Sequence, residues 1–135
     1  MHKIWLLIAL IMLIPSSFAE SNQNLKIYTE DTPNILVNVQ QPQFIIKLKS
    51  NPSTGYSWFL REHDDALVQP IKHQFEKNPQ ASLMGAPGYE IWTFKIKPQG
   101  FAVPQQSTLR FVYARPNQGS DGSSQLVFHI TTESH

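Results

Sequence analysis

The sequence contains no cysteine. This absence excludes disulfide bonds, thiol-dependent enzymes, thiolate metal sites and a lipid anchor on an N-terminal cysteine. The chain also lacks an Asn-x-Ser/Thr glycosylation acceptor, because the one asparagine with serine two positions later, Asn51, is followed by Pro52. A folded domain of this composition must be held together by its hydrophobic core alone.

An excess of charge of either sign is missing as well. The chain has 11 lysines and arginines against 10 aspartates and glutamates, and Lys3 belongs to an N-terminal segment that is discussed below. Nucleic-acid binding relies on a basic face that attracts phosphates. The sequence therefore predicts no nucleic-acid partner.

Catalytic motifs are scarce too. No Gly-x-Ser-x-Gly elbow occurs, and His129 stands at an outward position of a predicted strand. Residues 62–65 together with His73 offer imidazole and carboxylate groups, but their spacing fits no common zinc or calcium motif. We predict no catalytic residues, no metal and no cofactor, and a serine-type hydrolase is the least favoured alternative.

The N-terminal segment has the layout of a secretory signal peptide. Met1, His2 and Lys3 give a short basic start, residues 4–14 are almost entirely apolar, and residues 15–19 end in the small Ala19. A membrane span needs roughly 20 apolar residues, so an uncleaved anchor is the less favoured alternative. We predict a signal peptide over residues 1–19, export to the periplasm or the exterior, and no membrane attachment after cleavage.

The remaining part, residues 20–135, contains about 115 residues, enough for one domain with a core. Its apolar residues alternate with polar ones, which is the pattern of half-buried strands. The clearest runs are residues 44–48, 56–60, 92–96, 109–113 and 126–130, with shorter candidates at 25–28, 35–39 and 71–75. One helical turn is predicted near residues 62–67. Seven to eight strands separated by Pro and Gly predict a single all-β sandwich domain.

The segment Asn51-Pro52-Ser53-Thr54-Gly55-Tyr56 stands out among the connections. Pro52 fixes its own φ and favours an extended Asn51, and Gly55 permits positive φ where the chain reverses. Such a turn presents the hydroxyl groups of Ser53 and Thr54 in one conformation before anything binds. Taken alone, it is also compatible with an ordinary hairpin connection.

Two further connections have related features. Met84-Gly85-Ala86-Pro87-Gly88 precedes a strand with alternating aromatic residues, Trp92 and Phe94. Arg115-Pro116-Asn117 follows an aromatic strand. Each of them alone is more typical of a structural turn than of a binding site.

The three segments, in this order and behind a signal peptide, resemble the chagasin family of inhibitors of papain-like cysteine peptidases. The first segment matches the family's Asn-Pro-Thr-Thr-Gly-Tyr type loop, with Ser53 in place of a threonine. The second matches a Gly-x-Gly-Gly type loop, with Pro87 in place of a glycine. The third matches Arg-Pro-Trp, except that Asn117 stands where tryptophan is expected.

The resemblance implies an immunoglobulin-like antiparallel β-sandwich whose three loops enter a peptidase cleft together. It places Ser53 and Thr54 near the catalytic cysteine and histidine of the target, with the 84–88 and 115–117 loops on either side. The implied partner is a papain-like, cathepsin-type cysteine peptidase, and the inhibitor is expected to be a monomer. Because the aromatic anchor is replaced by Asn117, we expect altered selectivity, weaker binding, or a contribution from Tyr89.

A non-inhibitory immunoglobulin-like module that binds a protein or a saccharide through the same loops is the main alternative.

Overall fold

The computed structural model describes residues 24–78, 87–117 and 124–134. The predicted signal peptide, residues 1–19, lies outside these ranges, as do Met84, Gly85 and Ala86 of the second loop. Eight strands form in the described ranges: β1 (Ile27–Tyr28), β2 (Asn34–Asn38), β3 (Gln43–Ser50), β4 (Ser57–Glu62), β5 (Val68–Lys77), β6 (Gly88–Ile96), β7 (Gln106–Ala114) and β8 (Ser124–Glu133). Two short 3₁₀ helices, Pro52–Thr54 and Pro98–Phe101, complete the secondary structure of these ranges.

The strands form two sheets of four strands each. Their orders are β1-β3-β6-β5 and β2-β8-β7-β4. This confirms the predicted all-β sandwich and its number of strands. Among the described pairings, β1 with β3 and β2 with β8 are parallel, whereas the other four are antiparallel. None of the helices in the described ranges has the length and apolar character needed to cross a membrane.

The core lies between the two sheets and follows the alternation seen in the sequence. Along β3, the side chains of Phe44, Ile46 and Leu48 are buried while their neighbours are at least partly exposed. The ring of Phe94 on β6 packs edge to face against the ring of Phe111 on β7, with 6.1 Å between their centroids. Because these two strands belong to different sheets, this contact joins the two layers of the sandwich.

One predicted turn is present, and one predicted strand is longer than expected. The single helical turn predicted near residues 62–67 lies at residues 64–68, after β4: the backbone N–H groups of Leu67 and Val68 both donate to the carbonyl of Asp64, and the chain then enters β5. The short strand expected at residues 71–75 is the ten-residue β5. Pro70 is tolerated inside β5 because this strand lies at the edge of its sheet, where one side of the backbone needs no strand partner.

Candidate functional site

Strand pairing brings the bases of the three predicted loops to one end of the sandwich. In one sheet, Ser50, which precedes the 51–56 loop, pairs with Gly88, the last residue of the 84–88 loop. In the other sheet, Ser57, which follows the 51–56 loop, pairs with Ala114, which precedes the 115–117 loop. The three segments identified in the sequence therefore have their bases side by side, and we call this end the loop end.

The 51–56 loop is a single 3₁₀ turn that reverses the chain. Pro52 occupies the first turn of the helix, and Gly55 ends it in the left-handed region with φ of 80° and ψ of 0°. A side chain at this φ is strained, which explains why glycine follows the tip. Residues 52–55 are exposed, so the tip of the loop projects into solvent.

The hydroxyl groups at the tip are engaged within the loop itself. Ser53 Oγ donates a hydrogen bond to Asn51 Oδ1, and Thr54 Oγ1 donates to the carbonyl oxygen of Asn51, each at 2.6 Å. The backbone N–H of Asn51 in turn donates to the hydroxyl of Tyr113 on β7 at 3.0 Å. These bonds tie the tip of the loop to its first residue and that residue to β7, within the turn that the Pro and Gly residues predicted.

The 115–117 loop lies against the 51–56 loop. Arg115 Nε donates to the carbonyl oxygen of Thr54 at 3.2 Å, and the Arg115 guanidinium lies 4.9 Å from the centre of the Tyr56 ring. Pro116 and Asn117 are exposed. The first and third predicted loops thus form one continuous surface.

A buried carboxyl group beneath the loops was not identified from the sequence. Glu90 on β6 is only 3% exposed; its Oε2 accepts a hydrogen bond from the backbone N–H of Trp58 on β4 at 3.0 Å, and its Oε1 shares a hydrogen bond with His73 Nε2 at 2.8 Å. The His73 ring stacks on Trp92 with 3.8 Å between centroids. The sequence does contain a signal: Glu90 stands at an inward position in the alternation that continues with Trp92 and Phe94.

An open groove of about 340 Å³ runs beside the 51–56 loop. Pro52 and Ser57 line it on the side of the loop, and His73 and Phe75 line it on the side of β5. The Phe75 side chain is 41% exposed. The loop end therefore includes apolar surface next to the polar tip.

Gly88 lies inside the sheet rather than on the loop surface. It is buried, and it pairs with both Ser50 and Lys77. A Cβ placed on Gly88 would lie 2.4 Å from the carbonyl oxygen of Glu76 and 2.6 Å from Phe75 Cζ. The close approach of β5 to β6 thus explains why residue 88 is a glycine. The preceding residue, Pro87, is exposed.

Gly88→Ala is expected to destabilise the domain by about 1–3 kcal/mol, because the backbone of β5 must move away from β6 to admit the methyl group. Urea unfolding followed by tryptophan fluorescence measures this change in the free energy of unfolding. Lys77→Ala, at the exposed partner position in β5, is the control and should stay within about 0.5 kcal/mol of the wild type. Equal unfolding midpoints for the two variants would show that the position tolerates a side chain.

The groups considered for metal binding and hydrolysis are engaged elsewhere. Glu62 accepts a hydrogen bond from Arg110 at 3.0 Å, which lowers the pKa of the Glu62 carboxyl, and His63 contacts Asp65. In the described ranges no three His, Asp or Glu residues are grouped as metal ligands. His73 hydrogen-bonds to the buried Glu90.

The fold is an all-β, immunoglobulin-like sandwich, and the bases of the three predicted loops lie together at one end of it. A sequence model of the family described as Chagasin family peptidase inhibitor I42 matches residues 38–132. The chain belongs to this family, and the resemblance inferred from the three motifs is confirmed. A comparison with proteins of curated function gives no match.

Three solved structures share the fold. The cysteine protease inhibitor EhICP2 from Entamoeba histolytica is 22% identical with a TM-score of 0.65, covering 80% of this chain and 95% of that one. Amebosin, solved in solution, is 18% identical with a TM-score of 0.62, covering 80% and 97%. PbICP-C, solved in complex with falcipain-2, is 18% identical with a TM-score of 0.55, covering 80% and 90%.

Proposed function

We propose that this protein is an exported, reversible inhibitor of papain-like cysteine peptidases that blocks the active-site cleft with the loop end. The observation that carries the proposal is the pairing of Ser50 with Gly88 and of Ser57 with Ala114, which gathers the three family motifs at one end of the sandwich. Membership of a family of peptidase inhibitors supports it. So does the fold shared with a cysteine protease inhibitor and with a protein solved in complex with falcipain-2.

The 51–56 loop has the properties of a part that enters a cleft. Its tip is exposed and narrow, and it is held by the two hydroxyl bonds to Asn51 and by the bond from Asn51 to Tyr113. A loop that is ordered before binding loses little conformational entropy on docking. We therefore place Ser53 and Thr54 next to the catalytic cysteine and histidine of the peptidase.

The 84–88 and 115–117 loops extend the contact on either side of this central loop. Three contacts on a rigid scaffold bury the area of an ordinary inhibitor interface, about 800 Å² per partner. The inhibitor blocks the cleft without offering a peptide bond for attack, so it leaves the complex uncut. Residues 1–19 direct export, and the mature chain begins at Glu20.

Titration of papain with the purified protein tests the proposal. We expect activity to fall in proportion to added protein, to return on dilution, and the recovered inhibitor to have its original mass. Trypsin, whose nucleophile is a serine in a differently shaped cleft, is the control and should keep its activity. No inhibition of papain or of several related peptidases at micromolar concentration would refute the proposal and favour the non-inhibitory binding module.

A further inference from the structure

The Arg115 side chain contacts three consecutive residues of the 51–56 loop. Its Nε donates to the Thr54 carbonyl, its guanidinium lies over the Tyr56 ring, and a Cβ built on Gly55 would lie 3.7 Å from its Nε. The side chain therefore spans the second half of the loop, from the last residue of the 3₁₀ turn to the first residue after the glycine. A guanidinium suits this position because it combines a donor with a flat face that stacks on an aromatic ring.

These contacts end a stack of side chains that begins in the core. The buried ring of Trp58 lies 4.9 Å from the ring of Tyr113, which lies 5.4 Å from the ring of Tyr56. The guanidinium of Arg115 lies over the Tyr56 ring. The hydroxyl of Tyr113 accepts the backbone N–H of Asn51, so β7 and the residue that follows it hold the loop at both ends.

We propose that Arg115 is a positioning residue: it holds the 51–56 loop in its binding conformation rather than gripping the peptidase itself. The inference rests on the proposed inhibitory function, because it assigns Arg115 a role in that same site. A loop that adopts its binding conformation for only part of the time binds more weakly by that fraction. Loss of Arg115 therefore weakens inhibition because it lowers the fraction of free inhibitor molecules whose 51–56 loop is in the binding conformation.

The test compares Arg115→Gln with the wild type in two measurements. In the free protein, NMR measures the hydrogen-exchange rates of two backbone N–H groups of the loop: that of Thr54, which donates to the carbonyl of Asn51, and that of Gly55, which donates to the carbonyl of Pro52. We expect both to exchange about tenfold faster, the effect of losing one hydrogen bond and one exposed cation–π contact. With papain, we expect the inhibition constant to rise by about the same factor, through slower association.

Two further variants separate positioning from charge. Arg61→Gln removes the same charge from an exposed arginine that lies 5.1 Å from the ring of Phe59 on β4, and it should leave both measurements unchanged. Arg115→Lys keeps the charge but lacks the planar guanidinium. Its exchange rates at Thr54 and Gly55 and its inhibition constant should therefore lie between those of the wild type and those of Arg115→Gln. Inhibition fully restored by lysine while Thr54 and Gly55 still exchange fast would overturn the proposal, because the charge would then act on the peptidase rather than on the loop.

Unchanged exchange at Thr54 and Gly55 in Arg115→Gln, together with weaker inhibition, would also overturn it, since Arg115 would then act by touching the peptidase. Faster exchange with an unaltered inhibition constant would overturn it as well. If the wild type fails to inhibit any papain-like peptidase, the proposed function falls. The exchange rates in the free protein still decide whether Arg115 orders the loop.

Discussion

Thr54→Arg is expected to raise the inhibition constant for papain at least about 100-fold, which corresponds to about 2.7 kcal/mol of binding free energy. Thr54 lies at the exposed tip of the 51–56 loop, where the proposed complex leaves no room for a long side chain. The guanidinium would lose water without gaining a partner inside the cleft. The substitution also removes the hydrogen bond from Thr54 Oγ1 to the carbonyl of Asn51.

Two variants separate these causes. Thr54→Val keeps the shape of the side chain and removes only the hydroxyl, which donates to the carbonyl of Asn51 and accepts the backbone N–H of Tyr56 at 3.4 Å. The loss of these loop hydrogen bonds should weaken inhibition by about tenfold. Thr108→Arg places the same charge at an exposed position of β7, six residues before the loop end, or roughly 20 Å along the strand. It should inhibit as the wild type does.

Inhibition constants are measured by titration at several substrate concentrations, with circular dichroism as the check that each variant is folded. If Thr54→Arg inhibits papain as well as Thr108→Arg does, the tip of the loop does not enter the cleft. The protein would then bind through another surface, which is the expectation for the binding-module alternative.

Glu90→Leu is expected to lower the free energy of unfolding by about 2–3 kcal/mol. The Glu90 carboxyl group accepts the backbone N–H of Trp58, and it thereby joins the two sheets directly beneath the loops. Replacing a buried ion pair by apolar residues is often harmless when both partners are removed. Here the backbone N–H remains, and a buried donor without an acceptor costs about 1–3 kcal/mol.

Glu90→Gln is the matched variant because its amide oxygen still accepts the N–H of Trp58, and we expect a loss of about 1 kcal/mol. Glu76→Leu is the control for loss of a carboxylate: Glu76 is exposed and lies 3.8 Å from Lys47, a surface pair worth less than about 1 kcal/mol. Urea unfolding measures all three. A Glu90→Leu protein as stable as Glu76→Leu would show that the buried carboxyl group contributes nothing.

The strands were predictable because their signal is local. Phe44, Ile46 and Leu48 face the core simply because successive side chains of a strand point to opposite faces, and the alternation is visible within five residues. β5 was predicted at half its length because most of its sequence lacks this local signal. It lies at a sheet edge with nearly all of its residues exposed, so no burial imposes an alternating pattern on its sequence.

The loop motifs were also local signals, but their meaning depended on one another. Pro52 and Gly55 predicted a stiff turn, and the structure contains it. Gly88 was predicted from its motif as part of the binding loop; its burial between Ser50 and Lys77 explains the glycine by packing within the sheet. The assignment of Gly88 to the peptidase contact remains a prediction. The same is true of the other loop residues.

By itself, the sequence determined the all-β class, the stiff turn at residues 51–56 and the family, because alternation and short motifs are contained in neighbouring residues. Only the tertiary structure decided that the loop bases meet at one end, that Glu90 joins the sheets below them, and that Arg115 holds Thr54. The last two contacts join residues 32 and 61 positions apart. Strand order and register bring such residues together, and these depend on how the whole core packs rather than on any segment alone.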